Sequence, residues 1–160
     1  MSFLSDEIRQ QIQAYLPRYP SKQAVTLPAL HIVQDHLRYV PLEAIREIAD
    51  ILDLSPAEVY DTMSFYGFFR DSEKTKLGQT RLWVCRSLAC MLRGGEEVLQ
   101  TACDKLHCKP GETSVDGKVT VEFAECIGAC EGAPAVLVND EARMNVTPDK
   151  VDALLSELRS

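Results

Sequence analysis

Two pairs of cysteines constrain this chain more than any other feature. Cys85 and Cys90 form a C-x₄-C pair, Cys126 and Cys130 a C-x₃-C pair, and 35 residues separate the two. Any fold that uses all four must carry two distant loops to one place. Four thiolates on two short loops make a tetrathiolate metal site. We read it as a [2Fe–2S] cluster, which takes four ligands, two for each iron. Spacing alone leaves a structural Zn²⁺ with four thiolates equally open. Dithiol redox chemistry is disfavoured, because the chain has no C-x-x-C.

Composition narrows the setting. The chain has 160 residues, 46% hydrophobic and 26% charged, which suits one globular domain or two small ones. No apolar run approaches the roughly 18 residues of a membrane span. Met1-Ser2-Phe3-Leu4-Ser5-Asp6-Glu7 has no basic stretch followed by an apolar one, so no export signal is expected. The net charge of −7 is shared: residues 1–78 hold 8 basic and 11 acidic side chains, residues 79–160 hold 9 and 13. No basic face is concentrated anywhere, which argues against nucleic-acid binding. Six cysteines without an export signal point to a reducing, cytoplasmic compartment, where clustered cysteines more often serve metal or redox chemistry than disulfides.

The first half reads as helices. Ser5 can cap a helix with Ile8, Ile12, Tyr15 and Leu16 on one face, ended by Pro17 and Pro20. Residues 22–38 place Leu30, Val33 and Leu37 together, with Pro28 as a kink or a first-turn residue. Leu42, Ile45, Ala49 and Leu52 give a third stripe at helical spacing. Ser55-Pro56-Ala57-Glu58 is a strong start signal, with an N-cap serine, proline at the first helical position and a glutamate to close a capping box. That helix carries Val59 and Met63 into the aromatic run Phe65-Tyr66-Gly67-Phe68-Phe69, which reads as core where two domains meet or, less often, as a docking patch. The polar stretch 71–78 is the expected boundary, giving domains 1–78 and 79–160.

The second half changes character. Thr80–Cys85 is rich in strand formers and ends on the first cysteine, and Cys90 falls in the loop before a helix. Gly94-Gly95 opens that helix, whose inward face is Val98, Leu99, Ala102, Cys103 and Leu106. After a turn at Asp116-Gly117, Val119, Val121 and Phe123 alternate as a half-buried strand leading to Cys126. Ala135–Val138 is a short buried strand, Asn139-Asp140 a turn, and Thr147-Pro148 starts a last helix with Val151, Leu154, Leu155 and Leu158 inward. The order β-α-β-β-α is that of a small thioredoxin-like sheet, so the fold class is α+β: a helical bundle followed by a thioredoxin-like α/β domain.

Other metal-binding residue types have plainer readings. Cys103 and Cys108 form a second C-x₄-C beside His107, but Cys103 lies on an apolar helix face, where free cysteine packs well. Cys108 reads as a helix-end residue. His31 and His36 sit in a helix with no cysteine or carboxylate pattern around them. Near the paired cysteines, Gly128 and Gly132 let backbone N–H groups approach sulfur, Arg86 and Arg93 flank the first pair, and Glu125 and Glu131 flank the second.

Taken together, these motifs resemble a known family. Leu27-Pro28-Ala29-Leu30-His31-Ile32-Val33-Gln34, Tyr39-Val40-Pro41 and Ser64-Phe65-Tyr66-Gly67-Phe68-Phe69 resemble the helical half of the E-type subunits of NADH-quinone oxidoreductase, the small iron–sulfur subunits in the NADH-dehydrogenase module of respiratory complex I. Val84-Cys85-Arg86-Ser87-Leu88-Ala89-Cys90-Met91-Leu92-Arg93-Gly94 resembles the family's first ligand loop. Glu125-Cys126-Ile127-Gly128-Ala129-Cys130-Glu131-Gly132-Ala133-Pro134 resembles its second. Glu141-Ala142-Arg143-Met144 departs from the family pattern in lacking tyrosines.

The resemblance implies one [2Fe–2S] cluster held by Cys85, Cys90, Cys126 and Cys130 on a thioredoxin-like domain, a cis proline at Pro134, and no catalytic residue on this chain. It implies a partner subunit that bears FMN, oxidises NADH and contacts the helical domain, alongside further complex I subunits. The cluster would store one of the electrons that the flavin receives from NADH, and the complex would lie peripheral to the inner membrane. Similar small subunits serve NAD-linked hydrogenases and formate dehydrogenases, so the host stays open. A zinc-stabilised interaction module is the reading from another class.

Overall fold

Helices fill the first half of the chain, each beginning where its sequence allows. The computed structural model describes residues 2–159 and divides the chain into two compact units, Met1–Lys76 and Leu77–Ser160. In the first unit, α1 (Asp6–Tyr15) is capped by the Ser5 hydroxyl, which accepts from the Ile8 N–H at 3.3 Å. α2 (Thr26–Leu37) follows a single 3₁₀ turn, and Pro28 stands in its first turn, where no N–H is required. α3 (Leu42–Leu52) ends on Asp53 in the left-handed region. α4 (Pro56–Phe65) carries the complete capping box between Ser55 and Glu58.

Ile8, Ile12, Leu30, Val33, Ile45, Ile48, Leu52, Val59 and Met63 meet in one core. Leu42 departs from its expected stripe and is exposed, because it opens α3 while Ala44 and Ile48 take the inward places. The aromatic run divides. Phe69 is buried in this unit's core and Phe68 packs against it, while Phe65 and Tyr66 are exposed. Gln34 pins the run from within: its side-chain amide donates to the Phe68 carbonyl at 3.0 Å and accepts from the Arg70 N–H at 2.7 Å.

The second unit is built on a four-stranded sheet in the order β2-β1-β3-β4. β1 (Thr80–Cys85) pairs in parallel with β2 (Val119–Ala124) and antiparallel with β3 (Val136–Val138), which pairs antiparallel with β4 (Glu141–Arg143). Two helices join β1 to β2, α5 (Leu88–Leu92) and α6 (Gly95–Leu106), and α7 (Val151–Arg159) ends the chain after a 3₁₀ turn. Leu82, Val84, Val121 and Val136 from the strands, with Val98, Ala102, Leu106, Val151 and Leu155 from the helices, make the core.

The expected order lacked two elements, α5 and β4, and they correct it: Cys90 lies inside a five-residue helix rather than in a loop. Phe123 also departs from its expected half-buried place. It is exposed near the end of β2, where the Arg86 guanidinium covers its ring at 4.1 Å. On the face of β1 that carries Arg81 and Trp83, the Arg81 side chain is buried against the Glu122 carboxylate, and the Trp83 indole N–H donates to the same carboxylate at 2.7 Å.

Candidate metal centre

Parallel pairing decides where the cysteines meet. β1 and β2 run the same way with Cys85 opposite Ala124, so both strands end at one edge of the sheet. The Arg86 N–H donates to the Ala124 carbonyl at 2.9 Å and carries the pairing one step further. Cys85 is the last residue of β1, and Cys126 follows β2 by two residues. The carboxyl ends of parallel strands are where α/β sheets usually place their ligands.

The other two cysteines arrive by short turns. Cys90 sits in α5, which Ser87 starts and Gly94 (φ +90) separates from α6. Gly128 (φ +79) bends the second loop in the left-handed region, which glycine adopts without strain, and Cys130 begins a 3₁₀ turn ending at Gly132. From there the cis Ala133–Pro134 peptide, the isomer expected from the resemblance, leads into β3, and the Cys85 N–H donates to the Ala135 carbonyl at 3.2 Å. Ala129, Ala133 and Ala135 pack with Cys85 and Cys90 into a small apolar cluster.

The two cysteine pairs leave the same edge of the sheet. The Cys126 and Cys130 sulfurs are 3.8 Å apart. Burial, opposed by a hydrogen bond with the Ala135 backbone, pushes the Cys90 thiol up, and its hydrogen bond with Cys85 and the charges of Cys85 and Cys130 push it further. The Cys130 thiol is raised first by its hydrogen bond and charge interaction with Cys126, and also by Cys85 and Glu131. Cys85 and Cys90 are buried, Cys126 and Cys130 exposed. The donor set is therefore all sulfur, with one pair on each loop. Soft donors grouped two and two fit a cluster with two irons.

Charges nearby are exposed and paired. The Arg86 guanidinium, next to Cys85, meets the Glu125 carboxylate, next to Cys126, at 2.5 Å. The pair spans the two ligand loops, and at 54% and 73% side-chain exposure it contributes little stability.

The sequence marks Gly95 as a helix opener, and the structure gives it a second part in the site. A β-carbon there would lie 2.9 Å from both the Cys85 and Cys90 carbonyl oxygens, so only glycine lets the start of α6 lie against the backbone of both cysteines. A double glycine between a C-x₄-C and a helix was the available signal. Gly132 is similarly close-packed, against the Met144 side chain just after β4.

The remaining candidates lie elsewhere. Cys103 is buried in the core of the second unit and Cys108 packs beside it. The His31 ring meets Phe68 at a tilt and Phe69 edge-on, at centroid distances of 4.8 and 5.1 Å, and the His36 ring meets the Gln11 side chain at 3.1 Å.

Residues 12–159 match the family described as thioredoxin-like [2Fe–2S] ferredoxin. The chain is 35% identical over 153 residues to the E 2 subunit of NADH-quinone oxidoreductase from Rhizobium meliloti (strain 1021), across 96% of this chain and 89% of that protein. It is 29% identical over 154 residues to the NADP-reducing hydrogenase subunit HndA of Solidesulfovibrio fructosivorans, across 96% and 88%. Its fold is similar to a crystal structure of an NAD⁺-reducing [NiFe]-hydrogenase in the air-oxidized state, with a TM-score of 0.72 and 23% identity, over 84% of this chain and 22% of that one.

Proposed function

The chain belongs to the thioredoxin-like [2Fe–2S] ferredoxin family, and from that premise we propose that it is an electron-transfer subunit of an NADH-quinone oxidoreductase. It holds one [2Fe–2S] cluster on Cys85, Cys90, Cys126 and Cys130, next to an NADH-oxidising partner subunit that bears FMN. The observation that carries this reading is the meeting of two cysteine pairs at the carboxyl ends of two parallel strands. Such a cluster, when bound, takes up and releases one electron at a time.

The chain's own residues set the conditions for that exchange. Cys85 and Cys90 lie in an apolar lining of alanines, which keeps water from one side of the site. Cys126 and Cys130 stand toward solvent in the monomer, and the FMN-bearing subunit would cover them. Among the described residues no helix is long and apolar enough to cross a membrane, so attachment to the inner membrane would run through the other subunits. The helical unit would supply a further contact to the partner. The likeness to a hydrogenase subunit favours one second reading, in which the same carrier serves an NAD(P)-linked hydrogenase.

The test is an anaerobic visible spectrum before and after dithionite, with iron and acid-labile sulfide counted on the same sample. About two irons and two sulfides per chain, with bleaching on reduction, support the carrier. Stoichiometric zinc after an attempted reconstitution would replace it with the interaction module. Subunits that co-purify from the native host separate the quinone-linked complex from the hydrogenase.

A further inference from the structure

Helix α6 ends in a way that brings together the two cysteines outside the site. His107 is left-handed (φ 52, ψ 44). The Cys108 N–H donates to the Cys103 carbonyl at 3.1 Å, and the His107 N–H to the Asp104 carbonyl at 3.4 Å. These are the two bonds of a Schellman motif, which also sets the side chains of its first and last residues against each other, normally as an apolar contact. Here both positions are cysteine, so the closure sets one thiol beside the other. Cys103 is 4% exposed. Cys108 is half-buried and lines a shallow pocket with Asp104, His107, Lys109 and Glu112. Any apolar pair would serve the contact, whereas sulfur at both ends adds chemistry.

We propose that Cys103 and Cys108 are an oxidative modification site, converted by a low-molecular-weight disulfide such as oxidised glutathione into an intramolecular disulfide that staples the end of α6. The Cys108 thiolate, reached through the pocket, attacks one sulfur of the glutathione disulfide. That S–S bond breaks, one glutathione thiolate leaves, and a mixed disulfide forms on Cys108. The Cys103 thiolate then attacks the Cys108 sulfur and the second glutathione thiolate leaves. In total the protein's two thiols lose two protons and two electrons, and glutathione disulfide gains them as two thiols. The 3.1 Å bond from the Cys108 N–H to the Cys103 carbonyl closes one turn of backbone and brings the two residues together, the approach a disulfide builds on. Burial holds the Cys103 thiol up at about 11, with Cys108, Asp104 and Glu112 adding to it. Burial and Glu112 also raise the Cys108 thiol, so the exchange is slow near neutral pH and quickens as pH rises.

The full-length protein, loaded with iron and sulfide so that the four other cysteines are occupied, is treated with oxidised glutathione and then digested without reduction. Trypsin cuts after Arg93, Lys105 and Lys118 and spares the Lys109–Pro110 bond, so Cys103 and Cys108 fall on separate peptides. The expected result is peptide 94–105 joined to peptide 106–118, two thiols lost per chain and an unchanged visible spectrum. In Cys103→Ala the glutathione should stay trapped on Cys108. Three results would overturn the proposal: glutathione persisting on Cys108 of the unaltered protein, cross-links that join two chains, or a bridge that forms only in denaturant. Because the readout is the joined peptides, it stands even if the iron assignment fails.

Discussion

A β-carbon on Gly95 would lie 2.9 Å from the carbonyl oxygen of Cys90 and equally near that of Cys85. The start of α6 thus rests on the backbone of both cysteines of the first loop. Gly95→Ala gains helix propensity, yet it should cost about 1–3 kcal/mol, because the obstructing atoms are backbone and cannot rotate away. Iron retention should fall as the two cysteines are pushed out of place. Gly67→Ala meets nothing within 4 Å and serves as the control. Thermal unfolding and iron analysis of the two variants side by side check this, and equal behaviour would remove Gly95 from the site.

Sulfur position separates the ligand set from the packed pair. Cys126→Ser should weaken or distort the cluster spectrum, since Cys126 is one of the two thiols on the second loop. Cys103→Ser should leave that spectrum intact and only lower stability, because Cys103 lies in the core of α6 and the sheet. Iron lost to the same extent in both variants would contradict the assignment.

Gln34 links α2 to the aromatic run by satisfying two backbone groups at once. At 1% exposure it has no water to replace those bonds. Gln34→Leu keeps the bulk but leaves the Phe68 carbonyl and the Arg70 N–H without their partner. A loss of about 1–3 kcal/mol for each group deprived of its bond is expected. Chemical denaturation of the full chain measures it, and a change within experimental error would show that the run rearranges to find other partners.

How much of this could be read in the sequence depended on how local each signal was. The capping box at Ser55 and Glu58 lies within four residues, and the structure repeats it bond for bond. The cysteine pairs declared themselves by spacing, and flanking glycines marked their turns. Helix α5 escaped because five residues are too few to show a period, and its outward Leu88, Met91 and Leu92 are apolar where a surface helix would be polar. Strand β4 escaped because its three residues are all exposed and none is a strong strand former. Arg81 on a strand gave no hint of burial, since its partner Glu122 lies 41 residues away. Gln34 escapes for the same reason, since the groups it satisfies lie 34 and 36 residues away, whereas Gly95 lies within ten residues of both cysteines it rests on and only the double glycine hints at that.

Glu47 makes the N-terminal segment sensitive to acid. Burial alone would raise its carboxyl group. Hydrogen bonds from the backbone N–H groups of Phe3 and Leu4, from Arg9 and from the Ser2 hydroxyl outweigh that effect and hold it at about 2, against an ordinary value of 4.5. A carboxyl group depressed on folding stabilises the folded chain fully above its unfolded value, and the stabilisation is lost as pH falls through the folded one. Glu47→Gln keeps the shape but removes the charge and half the acceptors. At pH 7 it should therefore be less stable than the parent by about 1.5–3 kcal/mol, the range for hydrogen bonds to a charged group. The gap should be constant above about pH 5, shrink as pH falls below the ordinary carboxylate range, and close near pH 2, where the parent's own carboxylate is protonated. Melting curves of both proteins across that range test it. A gap that stays constant down to pH 2 would mean that Glu47 acts through packing and not through its charge.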